Sequence, residues 1–144
     1  MIAVWVPGAP AAQGSKRYVG QRAGKAVLIE QSKKVKPWRD AVAQLVRLAM
    51  AREGVTQPLQ GPVYVVATFY LRPPRKPAHR KPTTRPDVDK LARAALDACT
   101  AAAVWADDSQ VTTLLAQKRY APTVQAQGMR LTIDYDPTTE GETA

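Results

Sequence analysis

One cysteine, Cys99, and one histidine, His79, are all that this chain offers of the residues most used in thiol, imidazole and zinc chemistry. A lone cysteine makes no internal disulfide, which suits a reducing cytoplasm. Cys99 stands in an alanine-rich stretch and reads as a packing residue. His79 lies among proline, arginine and lysine and reads as a solvated loop residue; no zinc-ligand spacing exists. Long apolar runs are also missing. Nothing approaches the length of a membrane span, and residues 1–6 lack the basic and long apolar segments of a signal peptide. There is no P-loop, dinucleotide fingerprint or catalytic serine motif, so no nucleotide cofactor is expected.

Acids are scarce as well, 12 against 21 lysines and arginines, for a net charge of +9 and an isoelectric point near 10.0. No Lys or Arg follows Arg130, whereas Asp134, Asp136, Glu140 and Glu142 do, so the body of the chain is more basic than the total. Such a surface draws polyanions through long-range potential and counterion release. A merely soluble basic protein would carry the same charge. An anionic membrane is a poorer partner, because no strongly amphipathic basic helix stands out. With 144 residues and 45% hydrophobic content, a single domain with a real core is expected, over residues 1–136. The polar stretch 137–144 reads as a disordered tail.

The pattern predicts an α+β fold: a small mixed sheet with two principal helices. Residues 2–6 read as a short strand ended by Pro7-Gly8-Ala9-Pro10, and a basic loop with Lys16 and Arg17 follows. Residues 18–19 and 26–29 read as a hairpin. Residues 32–52 read as a helix, with Trp38, Val42, Leu45, Val46 and Ala49 on one stripe, Gly54 as its stop, and 32–36 as a capping turn. Lys33, Lys34 and Lys36 crowd the positive end of its dipole, which is unfavourable unless an anion compensates, so they read as phosphate contacts. Residues 63–71 form the clearest strand. The proline-rich loop after it carries Arg72, Arg75, Lys76, Arg80 and Lys81. It reads as an arm that orders on a DNA backbone, rather than as a plain linker. A second helix is expected over about 90–103, then strands over 110–120 and 129–135.

Several of the few acids gather at the two ends of that second helix. Pro86 biases Arg85 towards an extended conformation. If Asp87 and Asp89 end an extended segment, their side chains share one face, and Asp89 caps the helix. Asp107 and Asp108 precede the next strand. If that strand lies beside the first, Asp87, Asp89 and Asp108 converge on a hard cation. Taken singly, each acid is better read as a cap or turn residue; as a cluster they repel and need a partner.

Asp87-x-Asp89, the Leu96-Asp97-Ala98 helix and Trp105-x-Asp107-Asp108-x-Gln110-Val111 resemble the core of the RusA family of Holliday junction resolvases. The resemblance is densest over residues 85–111 and weaker around Pro7 to Tyr18 and Trp38-Arg39-Asp40. It implies that Asp87, Asp89 and Asp108 hold magnesium, with Asp107 a weaker candidate. A family lysine important for cleavage falls at Arg93, and the usual asparagine after the second aspartate is Lys90.

The expected function is thus a magnesium-dependent endonuclease on branched DNA, a four-way junction above all, acting in recombination and repair. Arg93 or Lys90 would stabilise the transition state, and Arg85 would join the DNA contacts. The resemblance further implies a homodimer and a phage or prophage setting. The rivals are a non-catalytic basic DNA-binding module and a metal nuclease cutting flaps or forks.

Overall fold

The computed structural model describes residues 1–14, 16–22, 25–30 and 33–137. Among them the order is β1 (Ile2–Pro7), β2 (Lys16–Arg22), β3 (Lys25–Glu30), α1 (Val35–Arg52), β4 (Val63–Leu71), α2 (Val88–Ala101), β5 (Val111–Tyr120) and β6 (Gly128–Tyr135). Single 3₁₀ turns lie at Asp108–Gln110 and Val124–Ala126. Four strands form one mixed sheet in the order β1-β6-β4-β5, while β2 and β3 pair separately as the expected hairpin. β4 and β5 run parallel, and all other pairs are antiparallel. This is the α+β architecture anticipated, one sheet and two helices. The tail 138–144 and the Ser32 end of the capping turn lie outside the described residues.

Alternation along the strands divides the sheet into two faces. Ile2, Val4 and Val6 of β1, Val63, Val65, Ala67, Phe69 and Leu71 of β4, and Met129, Leu131 and Ile133 of β6 are buried on one face. The helices cover that face with Val35, Trp38, Val42 and Val46 from α1 and Leu91, Ala94, Ala95 and Ala98 from α2. Alanine on α2 lets α1 and the sheet approach closely. Cys99 is buried in this cluster, and burial pushes its thiol pKa up to about 12, so it is an inert packing residue.

Both helices end in the same way. The Val55 N–H bonds to the Met50 carbonyl and the Gly54 N–H to that of Ala51, with Gly54 at φ 71°. At the end of α2 the Val104 N–H bonds to the Cys99 carbonyl and the Ala103 N–H to that of Thr100. Both are Schellman motifs, but the second puts alanine at the left-handed position, with φ 60°.

α2 begins earlier than its sequence pattern predicts. Asp87, with extended dihedrals of −73° and 140°, is the N-cap, and Asp89 lies inside the first turn. The Leu91 N–H closes that turn on the Asp87 carbonyl. Either aspartate satisfies the preference for a short polar cap, and the chain becomes helical directly after Asp87. α2 also stops at Ala101, because the Schellman turn takes up the next residues. β5 starts at Val111 because Gln110 is held in the turn before it.

Candidate active site

The parallel pairing of β4 and β5 decides where the acids lie. A parallel pair needs a crossover that carries the chain back along the sheet. Here α2 makes the return, from the end of β4 to the start of β5. Its 14 residues span about 21 Å at 1.5 Å per residue. The register gives a second ruler. Lys118 sits opposite Phe69 near the end of β4, while Val111 sits opposite Val63 at its start. Seven strand steps separate them, roughly 23 Å. Asp87 and Asp89 therefore stand at one end of the domain and Asp108 at the other. The convergence of three carboxylates within one chain is not what the fold produces, and among the described residues no group of three potential metal-ligating side chains forms. The extended-segment geometry proposed for Asp87 and Asp89 is replaced by a cap and a first-turn residue.

The turn before β5 is tightly built around Asp108. Trp105 is buried, and its indole N–H donates to the Thr100 hydroxyl at 2.8 Å. The Asp107 carboxylate accepts from the Ser109 backbone N–H at 3.0 Å, and Gln110 Oε1 accepts from the backbone N–H groups of Ala106 and Asp107. Gln110 Nε2 in turn donates to the carbonyls of Leu59 and Gly61. Hydrogen bonds from the Ser109 hydroxyl, then from its backbone N–H, hold the Asp107 carboxyl below the usual carboxylate range. Trp105, Asp107 and Gln110 thus act as anchor, cap and strut. Asp108 is exposed, and among the described residues its carboxylate enters no hydrogen bond or ion pair.

The other end has a similar economy. Lys118, which sequence reasoning missed, donates to the carbonyls of Thr84 at 2.8 Å and Pro86 at 2.9 Å. It ties the peptide just before Asp87 to β5. Its signal was the alternation Leu114-Ala116-Lys118, which aims a lysine at the helix-covered face of an edge strand. Asp87 is an N-cap whose side chain makes no capping bond. Asp87 and Asp89 are both exposed and, like Asp108, unpaired among the described residues. Arg93 is exposed and forms no ion pair there either; Asp97, one turn on, pairs instead with Arg39 at 3.8 Å. Lys90 and Arg93 line a groove with Gln13, Gly14 and Asp97, and the Gln13 N–H bonds to the Lys90 carbonyl. A roomier groove, about 600 Å³, lies between α1 and α2 beside Arg47 and Ala101; Asp40 and Asp97 line it, but Asp87, Asp89, Asp107 and Asp108 do not.

Cations collect at the Asp87 end. Lys33 and Lys34 are exposed at the start of α1, whereas Lys36 pairs with Asp40 at 3.0 Å. Arg72, Arg75, Lys76, Arg80, Lys81 and Arg85 are exposed in the irregular chain from β4 to α2. Arg80 and Lys81 line a notch with Arg119 and Tyr120 at the end of β5. The side chains of Lys16 and Arg17 lie outside the described residues. At the opposite end stand Asp107 and Asp108, together with Asp134 and Asp136 near the end of β6. Asp136 Oδ2 accepts from Thr112 and Thr113 there. The domain is electrically bipolar, basic where the helices begin and acidic where β5 begins. No described helix is long and apolar enough to cross a membrane.

Comparison with curated proteins finds no match. The family model described as "Endodeoxyribonuclease RusA" matches residues 7–132, taking in both aspartate motifs and the anchored turn between α2 and β5. The chain belongs to the RusA family of endodeoxyribonucleases, which act on branched DNA junctions.

Proposed function

We propose that this protein is a divalent-metal-dependent nuclease, with magnesium as its metal, that resolves four-way DNA junctions as a homodimer in recombination and repair. The observation that carries this reading is a subtraction. Trp105, Asp107 and Gln110 have structural work in the second motif and Lys118 holds the approach to the first, while Asp87, Asp89 and Asp108 are exposed carboxylates without partners among the described residues. Hard oxygen ligands of this kind suit magnesium, which commonly binds through one or two carboxylates and keeps several waters. Asp87 and Asp89, joined to a rigid cap and a Lys118 clamp, fit such a role.

The third carboxylate comes from a second copy in this reading. β5 is an edge strand, paired only with β4 among the described residues, and it exposes Leu114 (43%) and Leu115 (50%) at its centre. A ten-residue edge with two exposed leucines is a strand awaiting a partner. Two copies of β5 pairing antiparallel about a two-fold through Leu115 set Thr113 opposite the partner's Gln117, and bring the Val111 end of each strand to the Lys118 end of the other. That arrangement carries Asp108 of each copy to the basic end of the other, where Asp87 and Asp89 lie. It also brings acidic and basic ends together, and closed two-fold dimers are the commonest assembly.

When bound, magnesium would activate water and offset charge on the scissile phosphate. The chain's own part is to hold that phosphate. Arg93 and Lys90 line the groove beside the α2 start, where their charges would favour the transition state. Both act in this reading through charge and not as a base. The basic arm and the Lys33-Lys34 corner hold flanking backbone.

The deciding experiment incubates the purified chain with labelled four-way junction, fork and linear duplex, with and without magnesium. Paired, magnesium-dependent cuts in the junction support the reading. Tight binding without cleavage would make the protein a DNA-binding module, and preferential cutting of forks would make it a flap nuclease.

A further inference from the structure

The sheet face turned away from the helices carries a feature that the metal and arm leave unused. Trp5 of β1 is 40% exposed there, although Trp38 and Trp105 are buried. Its indole lies across Gly128 so closely that a Cβ on that glycine would sit 2.5 Å from the ring. The inner face of the ring therefore rests on β6 backbone. Tyr70 flanks it, with ring centroids 5.8 Å apart and planes tilted by 59°. Arg130 lies directly across the ladder from Trp5, its guanidinium carbon 5.9 Å from the ring centroid. That is the outer limit of a cation–π contact, close enough to favour the ring yet not packed onto it. Trp5, Tyr70 and Arg130 line a groove closed by Pro122, Gln125 and Ala126.

The groove stands at the basic end. Tyr70 pairs with Arg119 on β5, one step beyond the pair of Phe69 and Lys118. Successive strand residues face opposite ways, so the Lys118 clamp behind Asp87 and the Tyr70–Arg119 pair are back to back across the sheet. The notch of Arg80, Lys81, Arg119 and Tyr120 lies at the same end of β5. Cations thus run from the aspartates towards the aromatic groove.

We propose that this groove is a stacking site for one unpaired nucleobase of the DNA substrate, with Trp5 and Tyr70 receiving the base and Arg130 and Arg119 its flanking phosphates. An aromatic platform beside a cationic track is the chemistry of single-strand recognition, since every base has a π-face to stack. Duplex DNA keeps its bases stacked on one another, whereas a branch point has bases free to leave the stack. The site would favour branched over linear DNA. The inference rests on the reading of this protein as a nuclease for branched DNA.

The test uses the full chain and two probes, an oligothymidylate and a duplex of equal length. Labelled-probe anisotropy measures affinity, and intrinsic fluorescence reports Trp5, the exposed tryptophan. Oligothymidylate should quench Trp5 emission strongly and the duplex should not. Trp5→Leu should weaken oligothymidylate binding roughly tenfold to a hundredfold while duplex binding stays near the parent value. Trp5→Phe, which keeps a ring over Gly128, should restore most of the affinity. Unchanged Trp5 emission at saturating oligothymidylate, or equal affinity in Trp5→Leu, overturns the proposal. A failure of both probes to bind would overturn the nuclease reading and this site with it. Duplex binding without single-strand stacking would overturn this site alone.

Discussion

Mixing two inactive variants tests the shared-site dimer most directly. Asp87→Asn and Asp108→Asn each remove one ligand charge at nearly constant volume. Each homodimer then lacks a ligand in both sites and should not cleave. Within one chain the 14-residue helix that holds the two apart is about 21 Å long, whereas carboxylates on one magnesium each lie at about 2.0–2.1 Å from it. A single chain therefore cannot bring Asp108 to the site of Asp87. In a mixed dimer, one site takes both altered residues and the other takes both native ones. Random re-pairing of an equal mixture makes half of the dimers mixed, so about a quarter of all sites should be intact. Co-refolding the two variants should thus restore nicking of a labelled junction to about a quarter of the parent rate. Paired resolution of one junction should stay absent, because no mixed dimer has two working sites. If the co-refolded variants exchange subunits yet show no nicking, Asp87 and Asp108 do not act across a two-fold, and the β5 pairing is wrong.

Other consequences are simpler to measure. Ala103→Gly relieves the left-handed strain at the end of α2 and should stabilise the protein by about 1 kcal/mol, raising Tm by roughly 4 °C in a thermal melt. Replacing Arg75, Lys76, Arg80 and Lys81 together by alanine should weaken DNA binding and lower the log–log salt slope by about 0.9 for each phosphate no longer neutralised; an unchanged slope would make the arm a linker. Asp107→Ala removes a cap whose carboxyl titrates below its unfolded value, a contribution present above the unfolded pKa and lost as pH falls through the folded one. The stability gap between Asp107→Ala and the parent should narrow on acidification, as denaturant melts across acidic pH would show. Arg93→Ala should cut pre-bound junction about 10²–10³-fold more slowly with little loss of binding, and Arg93→Lys should keep part of the rate; parent-rate cutting by Arg93→Ala would shift the role to Lys90.

Much of the fold was legible in local pattern. β4 has the bounds its Val, Tyr and Phe content predicts, the α1 stripe is the buried face, and Met129, Leu131 and Ile133 are the core side of β6. Gly54 marks the end of α1 because a left-handed position favours a residue without Cβ. The arrangement of the acids was not legible, for a topological reason. About twenty residues separate Asp87 from Asp108, which looks short enough for contact. Most of that interval is a helix, which holds its ends apart, and only the parallel pairing of β4 with β5 shows that it spans the sheet. Lys118 was hidden for a related reason: its partners are backbone carbonyls in an irregular segment, and no spacing rule points to them. The burial of Trp105 likewise depends on Thr100, across the tight turn that ends α2.

The structural roles of the motif residues sharpen the functional reading rather than weaken it. Had Asp87 bonded to its own helix start, Asp108 to its turn and Arg93 to Asp97, caps and ion pairs would explain both motifs. Instead the turn is braced by Asp107 and Gln110, the approach to α2 is held by Lys118, and Asp97 is taken by Arg39. Rigid supports around exposed, unpaired carboxylates are what a metal site needs before its metal arrives, since preorganised ligands lose little freedom on binding. Exposed ion pairs add at most about 1 kcal/mol, so the lack of partners for these acids among the described residues costs the fold little. The bipolar charge then gives the two halves of the site a reason to meet. In the proposed dimer the acidic end of one copy would be drawn to the basic end of the other, an attraction that weakens with salt beyond a Debye length of about 8 Å at physiological ionic strength. Dimerisation through β5 should therefore loosen as salt rises, whereas burial of Leu114 and Leu115 alone would tighten it. Sedimentation across a salt series separates the two driving forces.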